Sequence, residues 1–469
     1  MPAIHNIRAR EIFDARGVPT LETTLWLDDE RSVVTSVPSG TSKGKYEALE
    51  LRDGDQNRLL GKGVSKAVEN VNNVIAPQLV GRDPVSQTEI DQLMVDLDGT
   101  PNKKKLGANA ILSVSQAVLK AGALCTNLPL YQYIQQKYQL TESLHIPNCI
   151  YSVINGGEHG ADNLDLQEFQ LIPASHIDFK TSIEMAATFQ QKLEEVLVIK
   201  GAIHSIGLLG GFTPNLYNNT DVFEILVETT KTTTYIFAQD LFFGIDASAA
   251  SFFEAGKYKL KDKPQAYSSK ELFDYYKNIR NVYKVIYLED PFEEDDKKIW
   301  KELTAELGET TKIVGDSLLV TNKEKLQKAI EEKTCNTILV KPNQTGTISE
   351  SVEVVKIAHD AGWQVVVSHR SGETCDNFIA DFAVGVGADY CKFGPINRGE
   401  RVAKYNRLLQ IHEEIQQLNG ETPAVEQAAA PAQQAAAPAV TQTTAPAASA
   451  AVAEAQTVNP NAEQAPSTT

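Results

Sequence analysis

The chain has 469 residues and a formal net charge of −17, with 42% hydrophobic and 22% charged residues. That length allows two or three domains around a large core, and the composition is that of an ordinary globular protein. The acidic balance excludes nucleic acid and anionic membrane as main partners, since both call for a basic surface, and leaves open a small anion held by a few local cations.

The opening "MPAIHNIRAR" is charged and lacks an apolar run, so no secretory signal is expected. Residues 1–140 mix alternating strand-like runs ("TLETTLWLDD", "SVVTSVP") with stretches of helical spacing ("VSKAVENVNNVIAPQLV", "GANAILSVSQAVLKAGALC"). This predicts an N-terminal α+β domain. No segment is read as a membrane span. The five cysteines, Cys125, Cys149, Cys335, Cys375 and Cys391, are scattered and form no C-x-x-C pair. They read as reduced thiols of a cytoplasmic protein, and the sequons at Asn218 and Asn343 are expected to be unused.

Residues 141–418 are assigned to a second domain, and its rhythm is clearest after about residue 230. Six short apolar runs each end in a polar residue: Asp246, Glu289, Ser317, Lys341, His369 and Lys392. They recur every 23 to 43 residues with amphipathic helical sequence between. Strand–helix units in such a series predict a parallel sheet closed as a β/α barrel, with polar residues at the strand ends facing the mouth. One such residue could simply cap the next helix; six in series, with these chemistries, favour a site. From residue 419 to 469 the chain is Ala-, Pro-, Gln- and Thr-rich with no Lys, Arg or aromatic residue, and is expected to be a disordered tail.

Two carboxylates on neighbouring strand ends suit a hard divalent cation such as Mg²⁺. Two lysines opposite could supply a base and an anion clamp. Together they suggest abstraction of a proton α to a carboxylate. The "GTSKGK" stretch is not a nucleotide cradle: the Gly40–Gly44 spacing is one residue short of a P-loop, and Tyr46 follows Lys45.

Long collinear stretches carry a specific resemblance from about residue 3 to residue 415: "EIFDARGVPTLE", "SGTSKGKYEALE", "KLGANAILSVSQA", "INGGEHGADNLDLQEF", "LEDPFEEDD", "NQTGTISES" and "VVVSHRSGETCDNFIAD". In these the chain resembles the enolase (phosphopyruvate hydratase) family, whose reaction converts 2-phosphoglycerate to phosphoenolpyruvate and water in glycolysis. The resemblance implies Lys341 as the base at C2, with Lys392, His369, Arg370, Ser371 and Gln167 holding carboxylate and phosphate. His159 and Glu168 would stand beside the leaving hydroxyl. Asp246 and Glu289 would ligate Mg²⁺, and Ser39 a second ion. Sites of the enolase superfamily are a well-known case of tuned acid–base chemistry, pairing a Lys or His base with one or two Mg²⁺ ions.

Two departures stand out. The family's "GDEGG" loop, whose glutamate acts as general acid, reads "GLLGG" here, with Leu208 and Leu209. The family's third metal carboxylate is expected where "GDSL" places Ser317; Asp316 precedes it, and alternation along a strand is expected to turn Asp316 away. Smaller departures are Thr41 and Lys43 in the "SGTSKG" loop, and Gln410 where the family has an arginine at its dimer interface.

Loss of a positioned acid typically removes about 10²–10⁴ of rate, and loss of a carboxylate weakens Mg²⁺ binding. The expectation is therefore a weak or inactive pseudoenolase with a scaffold or interaction role, weak Mg²⁺ binding, a homodimer or scaffold partner, and no nucleic-acid or membrane partner. The alternative is a working phosphopyruvate hydratase with Lys341 as base and Glu168 as substitute acid. A different lyase or isomerase of the superfamily is the least supported, because the surroundings of Lys341, His369 and Lys392 match as a set.

Overall fold

The computed structural model describes residues 1–40 and 46–420. The first three strands, β1 (Ile4–Phe13), β2 (Pro19–Leu27) and β3 (Ser32–Ser36), pair antiparallel in chain order. Ile4, Ile7 and Ala9 are buried along β1, as a half-buried strand requires. The β1–β2 turn is tied by the Asp14 carboxylate, which accepts from the Arg16 and Val18 amides at 2.8 and 3.0 Å. Gly17 supplies the positive φ of 72° that this turn needs.

Helix α1 (Ala108–Cys125) packs on β2 and β3. Thr23 Oγ1 donates to Ser113 Oγ at 2.8 Å, and Thr35 Oγ1 to Gln116 Oε1 at 3.3 Å, so the buried hydroxyls of the sheet are satisfied by the helix. By length and composition α1 could cross a membrane, contrary to the expectation that no segment would qualify. It is a core helix, 83% buried inside the fold.

Eight strands close a barrel in chain order: β4 (Asn148–Asn155), β5 (Glu168–Pro173), β6 (Leu241–Asp246), β7 (Val285–Glu289), β8 (Lys312–Gly315), β9 (Thr337–Val340), β10 (Gln364–Ser368) and β11 (Tyr390–Lys392), which pairs back to β4. The sheet is not wholly parallel as expected: β5 runs antiparallel to both β4 and β6. The reason is local. A parallel neighbour needs a crossover, usually a helix, and the β4–β5 connection carries only the single turn Gly157–His159.

Inside the barrel, Ile150, Ile172, Tyr287, Val314, Leu339 and Val366 form one apolar layer. Side chains two positions further along a strand share its face. Glu289, Asp316, Lys341 and Ser368 therefore rise from Tyr287, Val314, Leu339 and Val366 toward the mouth. The outer face of the barrel joins a continuous core running from Ile4 to Ile415. Helix α2 (Gly399–Leu418) completes the described chain. The tail expected beyond it lies, from residue 421, outside the described residues.

Candidate active site at the barrel mouth

A cavity of about 300 Å³ opens at the C-terminal ends of the barrel strands. It brings together most of the side chains singled out from sequence: His159, Gln167, Glu168, Leu209, Asp246, Ser317, Lys341, His369, Arg370, Ser371 and Lys392 all line it. Glu289 does not line it but is fully buried against Lys392, which does. Ser39 does not line it. Its hydroxyl donates to Asp14 Oδ2 and accepts from Arg16 Nη2, both at 2.7 Å, and its backbone pairs with Gly372. Residues 41–45, the rest of the "SGTSKG" loop, lie outside the described residues.

Lys392 organises one side. Its Nζ lies 2.7 Å from Glu289 Oε2, 3.2 Å from Asp246 Oδ2 and 3.5 Å from Glu168 Oε2. Burial would lower the ammonium, but these three carboxylates hold it well above the usual lysine range. Lys392 is a fixed cation, suited to clamping an anion and unsuited to taking a proton. The carboxylates share too little positive charge: burial pushes Asp246 up to about 6 and Glu289 up to about 8, the latter also opposed by Asp246. Glu168 behaves differently. Burial raises it, yet Lys392 and His159 together hold it well below the carboxylate range. Its Oε2 accepts from Ser152 Oγ at 2.5 Å, and its Oε1 lies 3.6 Å from His159 Nδ1.

The other side is built around Asp316. The expectation that Asp316 faces away is wrong: it lines the cavity, with Oδ2 2.5 Å from Lys341 Nζ and Oδ1 accepting from Gln344 Nε2 at 3.0 Å. Alternation holds; the anchor assumed for it was wrong. Val314 points into the barrel, so Asp316 does too. β8 ends at Gly315, and beyond it the Asp290 carboxylate accepts from the amides of both Asp316 and Ser317, at 3.0 and 2.8 Å, which turns Ser317 to the cavity as well. The third carboxylate at the mouth is therefore Asp316, and Ser317 does not remove it. The ground for expecting weak Mg²⁺ binding falls with it.

His369 receives a hydrogen bond from Arg401 Nη1 on Nδ1 at 2.7 Å. Burial, then Arg401, hold the ring well below the usual histidine range, so it is neutral with its proton on Nε2. Arg370 pairs with Glu47 at 3.0 Å, and Ser371 Oγ accepts from Arg16 Nη1 at 3.3 Å. Asp290, Glu47, Gln344 and Arg401 were not singled out from sequence, and Asp316 was named there only as a residue turned away. The parity of "KIVGDS" puts Asp316 on the face of Val314 without saying which face that is; the other four act across long sequence separations that no local pattern reveals.

The Leu208–Leu209 loop is firmly seated. Gly211 N donates to Asn155 Oδ1 at 2.8 Å, and Phe212 exchanges backbone bonds with Val153 and Asn155. Gly210 has φ +106°, and a Cβ there would lie 2.3 Å from Asn397 Oδ1. Leu209 is 1% exposed and forms part of the cavity wall; Leu208 is half-buried. Where the sequence pattern suggests an acid, the wall is hydrocarbon.

Among the described residues no group of three or more His, Cys, Asp or Glu side chains is drawn together as a ready metal cage. The donor chemistry nevertheless fits a hard divalent cation. Asp246 and Asp316 line the cavity with carboxylate oxygens, Glu289 lies beneath them against Lys392, and Glu289 Oε1 is buried with no hydrogen-bond partner.

Comparison with known proteins agrees with this architecture. Residues 4–134 match the family model described as enolase, N-terminal domain, and residues 143–423 match that described as enolase, C-terminal TIM barrel domain. The chain is 45% identical over 413 residues to "Enolase 1" of Methylococcus capsulatus, covering 88% of this chain and 97% of that protein.

Proposed function

The chain belongs to the enolase family, and on that premise we propose that it keeps the proton-abstracting half of the site and has lost the proton-donating half. It then binds 2-phosphoglycerate or phosphoenolpyruvate in the barrel mouth and forms product at most in traces, as a pseudoenolase with a scaffold or interaction role. The observation that carries this reading is Leu209, buried in the cavity wall.

In this reading Lys341 Nζ, oriented by Asp316, takes the proton from C2 of 2-phosphoglycerate. The fixed ammonium of Lys392 faces the substrate carboxylate, and Arg370, Ser371 and Gln167 orient the anionic groups. Neutral His369 offers its Nε2 proton as a donor. Asp246, Glu289 and Asp316 would hold Mg²⁺, which when bound neutralises the carboxylate and the negative charge that grows on it. The step that fails is departure of the C3 hydroxide. It needs a proton, and an isobutyl group supplies none.

The alternative assigns that proton to Glu168. Against the effect of burial, Lys392 and then His159 hold its carboxyl well below the usual range, and Oε2 accepts from Ser152, so it stays an acceptor. The family's dimer is retained in this proposal, with Gln410 on the exposed face of α2 accepting from Arg407 Nη1 at 3.4 Å. The test is formation of phosphoenolpyruvate from 2-phosphoglycerate in saturating Mg²⁺. The rate should fall at least about 10³-fold below an ordinary family member; a rate within about tenfold of one would overturn the proposal.

A further inference from the structure

We infer that Arg401 is a positioning residue for anion binding: from outside the cavity it fixes His369 as a donor through Nε2 and holds the backbone of residues 369–371 against helix α2. This rests on the functional reading above and names what keeps the anion-binding turn of that same site in order.

Arg401 lies in the first turn of α2, fully buried, and does not line the cavity. Its guanidinium spans three consecutive residues of the mouth. Nη1 reaches His369 Nδ1 and the Arg370 carbonyl, and Nη2 the Ser371 carbonyl, each at 2.7 Å. Lys404 is three residues on and so on the same face of the helix. It donates to the Thr374 carbonyl at 2.6 Å and pairs with Glu373 at 2.9 Å. Glu373 in turn accepts from the Arg370 amide at 3.0 Å. The turn that carries His369, Arg370 and Ser371 is thus shaped by α2.

A buried cation is costly unless well paired. The ion pair of Arg401 with Glu400 is long, 3.7 Å from Nε, and Nε has no hydrogen-bond partner. The charge is spent instead on two carbonyls and a ring nitrogen, and what it secures is the ring. A guanidinium can only donate, so Nδ1 must present its lone pair and the neutral ring carries its proton on Nε2. Gly394 lets the two side chains meet: a Cβ there would lie 2.8 Å from His369 Cε1 and 3.2 Å from Arg401 Cδ. His369 lines the cavity, so with Nδ1 tied to Arg401 the Nε2 proton is turned to the ligand. Burial and then Arg401 oppose a second proton on the ring, as do Lys392 from β11 and Lys341 just beyond β9; Glu168 from β5 favours one. Without Arg401 the imidazole loses the bond that selects its tautomer and one of the three cations that keep it neutral.

The test labels the histidines of the full chain with 15N, which leaves eight rings to resolve, and assigns His369 by its loss in His369→Gln. Long-range proton–nitrogen correlation should show a protonated Nε2 and a bare Nδ1, unchanged from about pH 8 to about pH 6. A proton on Nδ1 anywhere in that range overturns the inference. In Arg401→Met the Nδ1 proton should appear, as the second tautomer or as imidazolium, by about pH 6. The same variant should bind 2-phospholactate about tenfold more weakly with Mg²⁺ present; that ligand has no C3 hydroxyl to lose and so reports binding alone. Unchanged binding overturns the inference, and so does weaker binding with the His369 spectrum unaltered, which would make Arg401 a brace and nothing more. If the variant does not fold, the spectrum of the unmodified chain decides alone. Absence of binding by the unmodified chain, with its spectrum as expected, overturns the functional reading and the role of Arg401 in binding together, and leaves the tautomer of His369 standing.

Discussion

The two sides of the barrel mouth have been treated differently by this sequence. On the Lys341 side every charged group is engaged: Lys341 with Asp316, Asp316 with Gln344, Arg370 with Glu47, His369 with Arg401. On the opposite rim a loop of similar precision, pinned by Asn155 and Asn397, delivers only a leucine side chain. The loop that the family pattern gives an acid is firmly seated and carries a side chain that cannot ionise. Each buried ion left unpaired costs several kcal/mol, so the interlocked charges of the Lys341 side are held in place by stability as well as by any use of the site. Binding without turnover, as proposed above, joins the engaged charges of one side to the leucine of the other.

The contrast can be broken most severely from the charged side. Lys341→Ala should abolish solvent exchange of the C2 proton of 2-phosphoglycerate, a loss of at least about 10³-fold, as followed by loss of C2 deuterium. If exchange persists, another group is the base. From the other side, Leu209→Glu alone should raise phosphoenolpyruvate formation by about 10²-fold, because Asp316 already supplies the third carboxylate. No gain in a folded variant would mean that further inactivating changes exist.

A smaller effect separates Asp316 from Ser317. Asp316→Asn should weaken Mg²⁺ binding on the order of tenfold, whereas Ser317→Asp should change it by less than about threefold, both read from the Mg²⁺ dependence of the melting temperature. The reverse order would return the third ligand to position 317. The smallest effect tests the loop's seat. Gly210→Ala combines a positive φ with a Cβ placed against Asn397, and should cost on the order of 1–3 kcal/mol of stability, measured by denaturant unfolding.

Much of this is legible in the sequence for physical reasons. Strand C-termini carrying Asp246, Glu289, Lys341 and Lys392 repeat at intervals that suit a closed β/α sheet, and the structure places all four at one mouth. The reversed β5 escapes a sequence reading because its run, "EFQLIP", is buried on both faces in either direction and its direction depends on the missing crossover helix, not on the strand itself. Asp316 is easily misread because alternation fixes only relative faces. Without knowing that Val314 points inward, either parity of "GDS" is allowed. Arg401, Glu47 and Asp290 are out of reach, since each acts on a partner that the fold alone brings near. Leu209 is the reverse case, legible because a family pattern assigns that loop an acid and the residue present is one that cannot ionise.

The central claim, that abstraction is retained while departure is lost, is tested most directly by following two events in one sample. With 2-phosphoglycerate deuterated at C2, in saturating Mg²⁺, loss of deuterium to solvent and appearance of phosphoenolpyruvate are measured together. The account predicts that deuterium is lost at least about tenfold faster than phosphoenolpyruvate forms, since Lys341 can act and the hydroxide cannot leave. Loss of deuterium only in step with product, or absence of both, would contradict it.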